Sequence, residues 1–208
     1  ETLSAQPNNG RALYLLGESF FREGRLDEAI EMWERAREFQ PTGDLEARLE
    51  RARRMAKAEE SYHRSDAAHF SLKFDGEEAS TDLAAQGLDF LERSHGQLSA
   101  RFVHAPRTVI LVTLYPRQAF HDVTESPSWV GGLFDGQIRI PIGGLTRLDR
   151  RAERVLIHEL AHCFIPPKTR GLAPQWTHEG IAQVVEGRHA TVEKKALLEA
   201  YRAAGPAS

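Results

Sequence analysis

The hydrophobic positions change period partway along the chain. From Arg11 to Glu23, Leu13, Leu16, Phe20 and Phe21 recur at helical spacing and predict an amphipathic helix. Gly24 ends it, because glycine readily takes the left-handed conformation at a helix terminus. Asp27 to Phe39 repeats the pattern with Ala29, Ile30, Trp33 and Ala36 inward, and Pro41 stops it. A third helix is predicted over Leu45 to Glu60, with Leu49, Ala52 and Met55 on its apolar face. Ser61 to Ala68 is polar and predicts a connection and a domain boundary.

Beyond that boundary the period shortens. His69–Phe74 alternates as a strand does, and Thr108–Leu114 is an apolar, β-branched run expected of a buried strand. Between them, Glu77–Phe102 predicts a long helix carrying Leu83, Leu88, Leu91 and Leu98. A short helix, Tyr115–Asp122, and a loop over Thr124–Gly132 come next. In Gln137–Pro141, Gln137 and Arg139 alternate with Ile138 and Ile140. Pro141 cannot donate to a ladder, which predicts an edge strand. Such an edge can hold an extended peptide by main-chain hydrogen bonds, and it can equally stand without a ligand. Three helices complete the pattern. The first, capped by Thr146 or Asp149, ends near Phe164 before Pro166 and Pro167; the others run over Gln175–Glu186 and Thr191–Arg202. The fold class expected is α+β: a helical module over residues 1–61, then a domain over 62–208 with a small sheet and an active-site helix.

The apolar run Val155–Phe164 carries His158, Glu159 and His162 in the order His-Glu-x-x-His. Histidines four apart lie on one helix face, one turn from each other, and can share a metal ion. Glu159 projects about 100° around the helix from His158, a poor place for a ligand but a good one for a general base toward a metal-activated water. A catalytic zinc needs a third protein ligand, and Glu179, on the next helix, is the candidate. Gly180 beside it is expected to let the two helices approach. The competing reading is a helix with two surface histidines and an incidental acid. The apolar neighbours Leu156, Ile157, Leu160 and Ala161 make unliganded His and Glu awkward there. Cys163 follows the second ligand and points off the ligand face.

Composition changes this picture little. A formal net charge of −3 gives no reason to expect nucleic acid, and no apolar run is long enough to span a membrane. Arg48, Arg51, Arg53, Arg54 and Lys57 on the third helix read as a solvated face paired with nearby glutamates, with a basic binding face as the alternative. One cysteine excludes an internal disulfide. The chain opens on Glu1, so an upstream segment is expected.

Two resemblances follow from these residues. Leu16, Gly17, Phe20, Ala29, Trp33, Ala36 and Pro41 fall in the register of a tetratricopeptide repeat, with a plain helical hairpin as the alternative. His158–His162 followed by Trp176, Thr177, His178, Glu179, Gly180, Ile181 and Ala182 resembles the gluzincin metallopeptidases, and more narrowly the bacterial peptidase-MA-like domains that follow such repeats. The Phe70 strand, Trp129–Gly132 and Phe134–Pro141 match the upstream pattern. The resemblance implies a Zn2+ cofactor held by His158, His162 and Glu179, Glu159 as general base and acid, a peptide or protein substrate, and an extracytoplasmic bacterial setting. It also implies a protein partner for the repeat module. Gln137, Ile138, Arg139, Ile140 and His178 are candidate substrate contacts. His178 stands where the family often has Asn. Tyr115, Tyr201 and His189 are the conceivable oxyanion donors, none assigned. The reading of a different class is a non-catalytic zinc-binding scaffold, and a weaker third is a hydrolase of non-peptide amides.

Overall fold

The computed structural model describes residues 8–39, 43–77, 79–126, 131–142, 144–169 and 174–187. Within them the chain is a mixed α/β fold of helices and one five-stranded mixed sheet. The expected Thr191–Arg202 helix, Trp129, Pro41, His189 and Tyr201 lie outside the described residues.

Three helices come first: α1 (Gly10–Arg22), α2 (Leu26–Phe39) and α3 (Gly43–Glu59). Asn9 opens α1 by accepting from the Ala12 amide, a side-chain cap for an otherwise unpaired donor. Gly17 lies hard against the Trp33 indole, so near that an added Cβ would sit 2.4 Å from the ring. That contact sets how closely α1 and α2 approach. Trp33 is buried to 1 % exposure and donates from Nε1 to the Tyr14 carbonyl at 3.2 Å. The arginines of α3 mostly reach other elements: Arg48 pairs with Glu18 and Asp44, Arg51 with Asp135, Arg53 with Glu34, and Arg54 with Glu125.

The polar stretch expected to be a connection contains a strand, β1 (His63–Asp66). It pairs antiparallel with β2 (Phe70–Phe74) at one edge of the sheet. An exposed polar edge strand has no apolar alternation to betray it, and its partner strand supplies the order. The helix α4 (Thr81–Phe102), capped by Ser80, leads to β3 (Ile110–Tyr115), and α5 (Arg117–Thr124) follows. Then come β4 (Leu133–Phe134), β5 (Ile138–Pro141), α6 (Arg150–Thr169) and α7 (Gln175–Val185). No helix among the described residues is long and apolar enough to cross a membrane.

The strand order is β1-β2-β3-β5-β4, with β2, β3 and β5 parallel and the outer strands antiparallel. The expected edge position of Gln137–Pro141 is therefore corrected: β5 pairs with Val112–Tyr115 on one side and with Leu133–Phe134 on the other. The alternation was real but its meaning was different. Successive side chains point to opposite faces. Ile138 and Ile140 enter the core with Leu83, Leu91, Leu156 and Phe164 of α4 and α6. Gln137 and Arg139 face a second layer, the helices α1–α3, rather than solvent. That second apolar cluster also takes in Tyr115, Phe120 and Val123.

Two further expectations are corrected. The motif helix runs on through Pro166 and Pro167 to Thr169 instead of ending near Phe164. Phe164 and Ile165 are buried to 0 % and 1 %, so packing holds the turn that enters the prolines, which lack the amides that would donate to the His162 and Cys163 carbonyls. Gly180 also does not sit at a close approach, because a Cβ there would meet nothing within 4 Å. It faces an outward groove beside Phe102 and Trp176, away from α6.

Candidate metal centre

Asp149 caps α6 by accepting from the Ala152 amide at 2.8 Å. Leu156, Leu160 and Phe164 then lock one face of the helix into the core. That fixes the opposite face, on which His158 and His162 stand one turn apart, their rings edge to face with centroids 5.1 Å from each other. Helix α7 returns against α6 and brings Glu179 to both of them. Its Oε2 is 3.4 Å from His158 Nε2, and its Oε1 is 3.6 Å from His162 Nε2. Among the described residues these three form the group of His, Cys, Asp and Glu atoms able to share one ion, all within 4.8 Å of one another.

The spacing can be tested against a metal. Ligands about 2.0–2.1 Å from a tetrahedral zinc lie about 3.3–3.4 Å apart along each edge, close to the two separations found. The hydrogen-bond chemistry agrees. His158 Nδ1 lies 2.9 Å from Glu186 Oε2, and a proton on Nδ1 donates there. Nε2 is then the atom facing the Glu179 carboxylate, a contact satisfied by a metal ion between them or by a second proton on the ring. Burial holds the His162 pKa below its ordinary value despite Glu179, with His158 and His178 adding to the depression, so its imidazole is neutral and ready to ligate.

Glu186 is a functional residue that the sequence reading passed over. It is seven positions after Glu179, two helical turns on the same face. That spacing was the signal available. Its carboxylate fixes the His158 ring, the role an outer partner plays for a ligating histidine.

Glu159 is buried to 7 % exposure beside the group. Burial, and then the carboxylates of Glu179 and Glu186, push its carboxyl up to about 8. A divalent cation held by His158, His162 and Glu179 would pull it back toward ionisation. Neither Glu159 nor Glu179 pairs with a lysine or arginine among the described residues. Gly132 presses against Glu159: a Cβ there would come 2.8 Å from its Oε1. A cleft of roughly 490 Å³ opens beside His158 and Glu159, walled by Gly131, Gly132 and Glu186.

The remaining candidates divide. His178 lies beside the group, its ring nearly parallel to His162 at 6.3 Å. Phe134 of the edge strand β4 stacks on the His162 ring itself, centroids 6.1 Å apart. Gln137, Ile138, Arg139 and Ile140 are not brought to the cleft; each is at most 3 % exposed. Gln137 donates to the Phe21 carbonyl, and Arg139 to Tyr115 and Asp135. Tyr115 is buried with its hydroxyl donating to Glu59, so it is committed far from an oxyanion role. Cys163 packs against the core, and burial raises its thiol pKa above the ordinary value. No family model, curated protein or solved structure matches this chain.

Proposed function

We propose that the chain is a zinc-dependent metallopeptidase of the gluzincin type. The observation that carries the reading is the convergence of His158 Nε2 and His162 Nε2 on one carboxylate, Glu179, at 3.4 and 3.6 Å. His158, His162 and Glu179 would hold the zinc, and Glu186 keeps His158 turned toward it through Nδ1. When bound, zinc supplies Lewis acidity, polarising a scissile carbonyl and making a water acidic enough to be deprotonated near neutral pH.

The protein's own groups do the rest. Glu159 takes the proton of the attacking water on a carboxylate oxygen and hands it to the leaving amide nitrogen. Without a cation, burial pushes this carboxyl up to about 8, and a bound divalent cation would draw it back toward the ionised form that a general base needs. The edge strand β4, with Phe134 against His162, takes the place first assigned to Gln137–Pro141 as the rail for an extended substrate. His178 lies against the same His162 ring. Residues 1–61 are read as a tetratricopeptide-type hairpin with a capping helix that docks a protein partner, supported by the Gly17–Trp33 contact. Residues 62–208 are read as the hydrolytic portion.

The test is stoichiometric zinc content together with cleavage of a quenched peptide library, wild type beside Glu159→Gln. The expected result is one zinc in both proteins and a loss of kcat/KM on the order of 10²–10⁴ in the variant. Zinc-loaded wild type that cleaves no faster than Glu159→Gln would instead support a zinc-binding scaffold. Failure to take up zinc at all would remove the site.

A further inference from the structure

Two arginines line the cleft beside the metal centre, and the proposed chemistry uses neither. Arg151 and Arg154 stand on the first turns of α6, on the same cleft wall as His158 and Glu159. Arg151 is seven residues before His158, two helical turns, so both lie on one line along the helix. Both arginines are exposed, and neither has an ion-pair partner among the described residues. Other exposed arginines are unpaired as well, but Arg151 and Arg154 are the arginines that line this cleft.

The charge along the cleft is thus graded. Glu159, Glu179 and Glu186 stand at one end, where a divalent cation would offset them. Two uncompensated guanidinium groups stand toward the other. A guanidinium presents a planar fork of donors that fits a carboxylate with two parallel hydrogen bonds. Resting on the metallopeptidase reading, we propose that Arg151 and Arg154 select peptides carrying a carboxylate two or three residues from the bond to be cut. The distance follows from the helix. Arg154 and Arg151 are about 6 Å and about 10 Å from His158 along the axis at 1.5 Å per residue. An extended peptide covers about 3.3 Å per residue, so those spans correspond to two or three positions. The carboxylate comes either from an Asp or Glu side chain or from the free C-terminus of a short peptide.

The test uses the full-length zinc-loaded protein and a quenched peptide of neutral residues with blocked ends. A single Asp is moved through each position on both sides of the cleavage point, with Asn at the same position as its control. A second set carries no Asp but has a free C-terminus in place of the amide. The expected result is a preference of about tenfold in kcat/KM, expressed in KM, for the carboxylate two or three positions away on one side. The preference falls as salt rises, since the pair is screened. It collapses toward one in Arg151→Ala/Arg154→Ala and turns toward Lys peptides in Arg151→Glu/Arg154→Glu. It persists in Arg150→Ala, which removes a neighbouring exposed charge that does not line the cleft. The free-terminus set separates the two sources of the carboxylate. Equal Asp and Asn rates at every position, with no gain from a free terminus, would overturn the proposal. So would a preference that survives the double alanine variant. If no peptide is cut, the same Asp and Asn pairs are titrated by fluorescence anisotropy against zinc-loaded protein. Tighter Asp binding that depends on Arg151 and Arg154 then sustains the carboxylate site while the hydrolytic reading fails, and equal binding overturns it.

Discussion

Two polar clusters sit in this molecule, and they are built on opposite principles. One lies between the sheet and the first helices. Arg139 is fully buried there and contacts Tyr115, Asp135 and Glu59. Lys73 joins Glu59 at 2.9 Å, and Arg51 joins Asp135. Its carboxylates are met by cations from neighbouring elements, and its centre, Arg139 and Glu59, is shut off from solvent while Lys73 and Arg51 reach the surface. The other cluster lies between α6 and α7. There Glu159, Glu179 and Glu186 surround two histidines, burial and then like charges raise the Glu159 pKa, and a cleft opens beside them. A cluster balanced around a buried centre holds the fold together. An open and unbalanced one is unfavourable until something positive binds, and is kept where that binding has a use.

The comparison breaks most visibly at Arg139. Arg139→Ala takes the fully buried cation from between Glu59 and Asp135, leaving them to Lys73 and Arg51, and removing one partner of a buried ion cluster costs about 3–5 kcal/mol. The loss should appear as a lower urea midpoint with an unchanged slope. A change below about 1 kcal/mol, the range of exposed pairs, would mean that the cluster is open to water.

The metal-free protein should respond in the opposite sense at Glu159. Its pKa is raised on folding, so between about 4.5 and about 8 the native state binds more protons than the unfolded one. Stability from this group is full below the unfolded pKa and is lost as pH rises through the folded value. Glu159→Gln mimics the protonated form. In chelator, it should gain on wild type by about 2–4 kcal/mol between pH 4.5 and 8, read as the difference between the two pH–stability curves. Zinc should shrink that difference. Parallel curves would mean that the carboxyl is not forced.

Glu186→Gln probes the smallest of these effects. Losing the charged partner of His158 Nδ1 should weaken zinc affinity about 10–100-fold, measured by competition with a chromophoric chelator. An unchanged affinity would reduce Glu186 to packing.

These clusters also differ in how far the sequence revealed them. His158, Glu159 and His162 announce themselves because the helical period places them together, and Glu179 sits on the next element of an antiparallel pair. The closed cluster left no such trace. Its members Glu59, Tyr115 and Arg139 are 56 and 24 residues apart, and only the sheet order joins them. Gln137 and Arg139 looked like the wet face of an edge strand because alternation reports two faces without saying what covers each. Pro141 reinforced the error, although it occupies an interior strand opposite Tyr115. Strand β1 was hidden for a different reason. His63, Arg64, Ser65 and Asp66 contain nothing apolar, and their order comes from pairing with β2. Most helices were legible because each carries its own apolar stripe, whether or not its partner is known.

The hydrogen bond from Gln137 to the Phe21 carbonyl has a practical consequence for anyone trimming this chain. Cutting away the first sixty residues would remove more than three helices. It would uncover Tyr115 and Phe120, both fully buried, and take Glu59 from Arg139 and Phe21 from Gln137. The fragment left would present raw apolar and unpaired polar surface beside the hairpin whose Phe134 rests on His162. Shortened versions should be expected to precipitate during purification, and a missing activity in them would say nothing about the metal ligands.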